Sequence, residues 1–164
     1  MRRSKVLILS VAVLIAAPVI GQNVELKSES DTNLTALIAA HRDMQNISLS
    51  FNPFSTVVSQ DSAILQTLSS TAGAAEGRLR AVTDLLGVYD NLHDAQDKAM
   101  MRPLLDDRLR LYSVLLNLDA QGASLSLTTP GAVKEQATNQ QALQLRDALR
   151  AAKSKVDMAI ASLQ

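Results

Sequence analysis

Apolar residues recur along most of the chain at intervals of three and four, which is the spacing of one face of an α-helix. Two segments keep this spacing over their whole length. The apolar positions are Leu68, Ala72, Ala75, Leu79, Val82, Leu86 and Tyr89 in one, and Ala142, Leu145, Leu149, Ala152, Val156, Ala159 and Leu163 in the other. Such seams are typical of helices that pack side by side. The pattern predicts an all-α fold, an elongated antiparallel helical bundle with coiled-coil-like seams.

Breaks in the pattern predict three long helices plus one short N-terminal helix. The short helix is expected over about 32–46, and the first two long helices over about 61–92 and 94–121. Gly122 is expected to end the third helix, and Thr129-Pro130 to start the fourth, which runs to the C-terminus. The small residues of 69–77 leave two alternatives for the second helix, since glycine lowers helix propensity. We favour a continuous helix over one that starts anew near Glu76.

The third helix carries two apolar rows. They are Leu105, Leu109, Tyr112 and Leu116 in one row, and Leu104, Leu111, Leu115 and Leu118 in the other. Two rows make a wide apolar face, so this helix is expected to pack between neighbours on both sides.

Two short segments, 47–51 and 124–128, alternate strictly between apolar and polar residues. Strict alternation is the pattern of a strand with one buried face. The two segments therefore form either a small strand pair or plain linkers, and we favour linkers.

The N-terminal residues 1–21 have the layout of a secretory signal peptide. Arg2, Arg3 and Lys5 precede a largely apolar run over 6–20, and Gly21 follows it. The run is shorter than the roughly 20 residues that span a bilayer as a helix. We therefore expect cleavage before Gln22 and a periplasmic or secreted protein. The alternative is an uncleaved N-terminal anchor.

Composition narrows the range of functions. The chain has no cysteine and no tryptophan, and only two phenylalanines and two tyrosines. It therefore has no disulfides or thiolate metal ligands, and few of the rings that line ligand pockets. Without the three basic residues of the signal peptide, 13 basic residues face 16 acidic ones. This mildly acidic balance argues against nucleic acid as a partner.

One polar cluster is a candidate metal site. On a continuous helix Asp90, His93, Asp94 and Asp97 fall at i, i+3, i+4 and i+7 and so share one face. Carboxylate and imidazole ligands at that spacing suit a divalent cation such as zinc. The favoured interpretation is structural, because Asp94 is a natural N-cap and Asp97 suits a first helical turn.

A haem site is a second candidate. His41 and Met44 share the apolar face of the first helix, and a helical bundle can hold haem between histidine and methionine ligands from different helices. Methionines at 100, 101 and 158 are the possible partners. Methionine as a gap-filler in the core is the ordinary alternative.

These observations give the expected organisation: signal peptide 1–21, flexible N-terminal segment 22–31 and helical bundle domain 32–164. No hydrolase or nucleotide-binding motif is visible. The sequence therefore favours an exported, non-enzymatic interaction or structural protein without cofactors, which binds a protein partner or self-associates and keeps no membrane anchor after cleavage. A metal- or haem-binding carrier is the alternative function.

The expected cleavage gives a first testable prediction. Mass spectrometry of the N-terminal peptide of the protein recovered from the exported fraction should find Gln22 first, as glutamine or as pyroglutamate, because the apolar run ends just before it. A sequence that begins at Met1 would show instead that the segment is kept as an anchor.

Overall fold

A computed structural model describes residues 17–51, 60–128, 131 and 133–163 of the chain. These residues form four helices and no strand. The helices are α1 (Ala17–Ser50), α2 (Ser62–Asn91), α3 (Ala95–Thr128) and α4 (Gln136–Ser162). At 27 to 34 residues each, they are about 40–50 Å long. The predicted all-α bundle is confirmed.

Successive helices run in opposite directions around the bundle. Arg102, near the start of α3, donates a hydrogen bond to the carbonyl oxygen of Leu163, at the end of α4. Asp61, which precedes α2, instead accepts a hydrogen bond from the backbone N–H of Lys134, just before α4. Thus α2 and α4 are parallel, and α3 is antiparallel to α4. Within the described residues α1 and α3 make no contact, so they occupy opposite corners.

The core consists of the predicted seams. Both are buried along their length, with Tyr89 half-buried at the end of the first. Leucines such as Leu79, Leu145 and Leu149 have no exposed surface, and burying such a side chain stabilises a fold by about 1.5–3 kcal/mol. Between the leucines lie alanines, which allow the backbones of neighbouring helices to approach closely.

The second helix is continuous, as we favoured. Its predicted bounds, 61–92, differ from those of α2 by one residue at each end. A Cβ atom added to Gly73 would meet only the Oγ of Ser48, at an ordinary contact distance of 3.9 Å. Gly73 is therefore not required by a close approach of another backbone, and the packed seam maintains the helix across 69–77.

The prediction of a short N-terminal helix is wrong, because α1 has 34 residues. No glycine or proline occurs in 22–31, so nothing in that segment interrupts a helix that runs on toward residue 50. The backbone of 22–31 is helical, and its expected flexibility stays a prediction. The signal peptide lies mostly outside the described residues.

The interpretation of 47–51 and 124–128 as strands or linkers is also wrong. The first segment completes α1 and ends with Phe51, and the second completes α3. Ile47 and Phe51, four positions apart, both pack on the core, as helical spacing requires. Ser124 donates to the carbonyl oxygen of Ala120 one turn earlier, which suits a serine within a helix.

The predicted boundary between the last two helices is wrong as well. α3 continues through Gly122 to Thr128, because the buried alanines at 120 and 123 keep this turn on the core. The fourth helix begins at Gln136, whereas Thr129-Pro130, its predicted start, lies outside the described residues.

The starts of α2 and α4 cap each other. The carboxylate of Asp61 accepts hydrogen bonds from the backbone N–H groups of Lys134, at 3.0 Å, and Glu135, at 2.8 Å. The carboxylate of Glu135 in turn accepts one from the backbone N–H of Gln60, at 2.9 Å. Each residue at an N-cap position thus serves the neighbouring helix rather than its own. This exchange ties together the ends of two parallel helices.

The exchange also determines the charge of Asp61. Burial acts to raise the pKa of its carboxyl, but hydrogen bonds from the backbones of Lys134 and Glu135 and from the side chain of Thr138 outweigh that effect. The pKa therefore lies below its ordinary value of 3.8, and the group is ionised at neutral pH.

Replacing Asp61 should destabilise the protein in a pH-dependent way. With its folded-state pKa below 3.8, the carboxylate stabilises the fold fully above that pH and loses its contribution as the pH falls through the folded-state pKa. The difference in free energy of unfolding between wild type and Asp61→Ala should thus be largest near neutral pH and shrink below pH 3.8. Urea denaturation at several pH values measures it. Asp84→Ala, at an exposed carboxylate, is the control; a D61A deficit independent of pH would contradict the argument.

Packing of the seam is testable at a single leucine. Leu149→Ala should lower the free energy of unfolding by about 2–5 kcal/mol, because it leaves a cavity in the core. Leu49→Ala, at a leucine 74% exposed, should change it by less than about 0.5 kcal/mol. Urea denaturation followed by circular dichroism gives both values. Equal effects of the two substitutions would contradict the burial of the α4 seam.

Candidate interaction surface

The four candidate metal ligands do not share a helix. Asp90 lies in the last turn of α2, His93 and Asp94 lie in the connection, and Asp97 lies in the first turn of α3. The four residues share one face only on a continuous helix, and the helix is broken over 92–94.

Two of these residues have local structural roles. The carboxylate of Asp94 accepts a hydrogen bond from the backbone N–H of Gln96 at 2.6 Å, so Asp94 is the N-cap of α3. The Nδ1 of His93 lies 2.7 Å from the carbonyl oxygen of Asn91. Among the described residues, no group of three or more histidines or carboxylates is placed to hold a metal ion. A zinc site therefore receives no geometric support.

The two haem candidates on α1 are engaged in packing between helices. The Nε2 of His41 lies 2.7 Å from Oε1 of Glu76, which joins α1 to α2. Met44 is buried beside this pair on the core face of α1, whereas Met100 is 70% exposed on α3, which does not contact α1. The described side chains thus bring no methionine from α3 opposite His41.

A second polar cluster joins α3 to α4. The hydroxyl of Ser113 donates to one carboxylate oxygen of Asp157 at 2.6 Å, and Nζ of Lys153 donates to the other at 2.5 Å. Burial acts to raise the pKa of Asp157, but these two hydrogen bonds outweigh it and lower the pKa. The carboxylate separates the serine from the lysine, so Lys153 is not placed to take the serine proton. The cluster joins two helices and is not arranged as a nucleophile with its base.

An open groove lies between α1 and α2. It is lined mainly by apolar atoms of Leu34, Ile38, Gly87, Val88 and Leu92. Its one carboxylate, Asp84, is exposed and 4.0 Å from Arg80. Its other polar lining residues, Thr83 and Asn91, donate hydrogen bonds to backbone carbonyl oxygens of their own helix, so few polar groups are left to orient a small ligand.

The most distinctive surface is on α3. Six large apolar side chains of this helix are exposed and lie on the face opposite the core. They are Met100, Leu104, Leu111, Val114, Leu118 and Leu125, here called the α3 stripe. The described residues contain only three other exposed large apolar side chains, one on each of the other helices. The apolar exposure of the bundle is therefore concentrated on a single helix.

The stripe follows from the spacing of the sequence. Four of its leucines recur every seven residues over 104–125, a length of about 32 Å on a helix. The buried row of α3, represented by Leu109 and Leu116, faces the other way, because residues two apart on a helix are separated by about 200°. A sustained heptad of exposed leucines is the pattern of a helix that packs on another helix.

This arrangement corrects the sequence interpretation of α3. The second apolar row was expected to pack on a neighbour within the bundle, yet Leu104, Leu111 and Leu118 are exposed and Leu115 is half-buried. Within the described residues α3 contacts only α2 and α4, and these two helices cover only one of its apolar rows. Three residues of the stripe, Met100, Val114 and Leu125, were not in the predicted row, although continuing the seven-residue spacing from Leu104 finds Leu125.

An exposed apolar stripe of this length is a candidate binding surface. Soluble monomers rarely expose contiguous apolar patches larger than a few hundred Å², and larger ones mark binding surfaces.

None of the helices, over its described residues, combines the length and apolar character needed to cross a membrane.

Comparison of the chain with protein-family models, with curated proteins and with solved structures gives no match.

Proposed function

We propose that the protein is an exported, non-enzymatic helical bundle that binds another protein through the α3 stripe. The observation that carries this proposal is the row of exposed leucines at 104, 111, 118 and 125. Each is 45–65% exposed, although leucine is a residue that folding normally buries. Covering the row with an apolar partner removes this surface from water, which favours binding by about 25 cal/mol per Å².

The polar chemistry of the described residues supports a binding role over catalysis. The most buried carboxylate, Asp61, caps α4. Asp157 fastens α3 to α4, and His41 pairs with Glu76 across α1 and α2. These groups hold helices together, and none faces a closed cavity where a substrate would meet a base or nucleophile.

The export part of the proposal rests on the sequence of residues 1–21. The basic start, the apolar run and Gly21 are the features that support it. Cleavage before Gln22 would leave 29 residues of α1, from 22 to 50. The α1 residues of the core, Leu37, Ala40 and Met44, all lie in the part that cleavage would leave.

Photocrosslinking in intact cells tests the proposed surface. A benzophenone side chain placed at Leu111 or Leu118 should give a covalent adduct with a protein, because these positions lie in the middle of the stripe. The same side chain at Leu49 is the control, since Leu49 is a leucine of α1 that is 74% exposed, more than either test position, and α1 does not contact α3. Adducts are detected as species of raised mass on denaturing gels and identified by mass spectrometry.

The comparison between positions decides the outcome. Adducts at 111 and 118 that are absent at 49 support the α3 stripe as the binding surface. Equal adducts at all three positions, or none at 111 and 118, would overturn it. Any protein captured only by the stripe positions counts as support, including a second copy of the chain.

A further inference from the structure

We infer that the occupant of the α3 stripe is a second copy of this chain, paired through α3 in antiparallel orientation about a two-fold axis between Val114 and Leu115. This inference rests on the proposed function, because it names the partner of the same surface. It follows from the symmetry of the stripe and from the distribution of charge along it.

The four leucines of the stripe are symmetric about its centre. Leu104 and Leu125 are equally distant from the midpoint between residues 114 and 115, and so are Leu111 and Leu118. A two-fold axis at that midpoint places each of these leucines opposite a leucine of the other copy. A symmetric dimer needs such a self-complementary surface, in which residue i contacts residue j and j contacts i.

On α3 itself, the exposed charges lie beside the first half of the stripe. Asp107, Arg108 and Arg110 are exposed beside its first half. Over 111–128 the sequence contains a single charged residue, Asp119, which is paired with Arg78 of α2. Antiparallel pairing therefore sets the charged half of each helix against the uncharged half of the other.

If the two copies of α3 paired in parallel and in register, each half of the stripe would face the same half of the other copy. Asp107 would then lie beside Asp107 of the other copy, and Arg108 beside Arg108, near the apolar contact. Like charges placed together in an interface are strongly unfavourable. The charge distribution thus selects the antiparallel orientation.

The polar interruptions of the stripe also find suitable positions opposite them. Asp107 falls opposite Gly122, which is exposed and has open space where a side chain would be. The carboxylate can therefore bend toward water. Arg108 falls opposite Gln121, whose amide oxygen is an acceptor for the guanidinium. Neither charge is buried without a partner.

Single cysteines map the pairing, since the natural chain has none. The protein is exported from cells that express the full chain, purified and oxidised with diamide. Val114→Cys should give a disulfide-linked dimer, because it lies next to the axis. Leu104→Cys alone and Leu125→Cys alone should not, since each lies about 32 Å from its own copy, far beyond the roughly 7 Å between Cα atoms that a disulfide spans.

Mixing variants provides the positive test of orientation. Leu104→Cys mixed with Leu125→Cys should give a mixed disulfide dimer, as should Leu111→Cys mixed with Leu118→Cys. These two pairs are independent of Val114→Cys and keep the inference testable should that variant fold poorly. Leu49→Cys, exposed on α1, measures random collision.

Each alternative gives a different result. Crosslinking of Leu104→Cys alone, as strong as that of Val114→Cys, would show parallel pairing and overturn the orientation. If none of the stripe variants or mixtures gives more disulfide-linked dimer than Leu49→Cys, a second copy is not the occupant of the stripe. The cellular photo-adducts then separate the two proposals. An adduct with a different protein at 111 and 118 retains the proposed binding surface, whereas no adduct removes both.

Discussion

Close packing of alanine and leucine along the helix seams is the constraint on which the rest of this structure depends. The chain has no cysteine, so no covalent crosslink assists folding. It also has almost no aromatic residues to fill space, and in the described residues only Phe51 is a buried aromatic side chain. Stability must therefore come from many small contacts between helices about 40–50 Å long. Alanines such as Ala75, Ala142 and Ala159, all with no exposed surface, set the distance between backbones.

Uniform seams leave one problem, which is the alignment of the helices along their axes. A heptad seam shifted by seven residues still places leucine against alanine or leucine, so apolar packing alone specifies the alignment weakly. Polar contacts between helices remove this ambiguity. Asp61 fixes the start of α2 against the start of α4, and His41 with Glu76 fixes α1 against α2. Each contributes modestly to stability, but a shifted alignment would leave these polar groups without their partners, which is costly for a buried one such as Asp61.

The seams of α2 and α4 were predictable because burial there repeats without exception over many turns. Each of Leu68 to Leu86 and Ala142 to Leu163 in the predicted rows is buried, and even two glycines at 73 and 77 do not interrupt α2. Long periodic patterns average over local propensity, which is why the bounds of α2 were predicted within one residue.

The wrong predictions of secondary structure came from short sequence patterns. Five alternating residues at 47–51 or 124–128 fit a strand and the end of a helix equally well. In both places the preceding helix continues, because a residue such as Ile47 or Leu127 reaches the core from a helical backbone. Gly122 failed as a stop signal for the same reason. A glycine ends a helix when the chain must turn, and here the seam of α3 runs past it.

The candidate sites show a different limit of sequence reasoning. A row such as Leu104, Leu111 and Leu118 is recognisable as apolar and helical, but spacing does not reveal whether its partner lies within the same chain. That depends on how many neighbours the bundle offers. The metal cluster had the opposite weakness, because its spacing was meaningful only on an unbroken helix and the break over 92–94 removed the common face.

The rotation of α3 about its own axis is what separates its two apolar rows into core and surface. Two polar contacts lie on the flanks between the rows. Ser113 reaches Asp157 of α4 on one side, and Asp119 reaches Arg78 of α2 on the other. A rotation that buried Leu111 would expose Leu109 and break both contacts at once. The same two contacts therefore help to fix both the packing of α3 on the core and the orientation of the proposed binding surface. A helix held in this way presents its leucines already aligned for a partner, so that little conformational freedom is lost on binding.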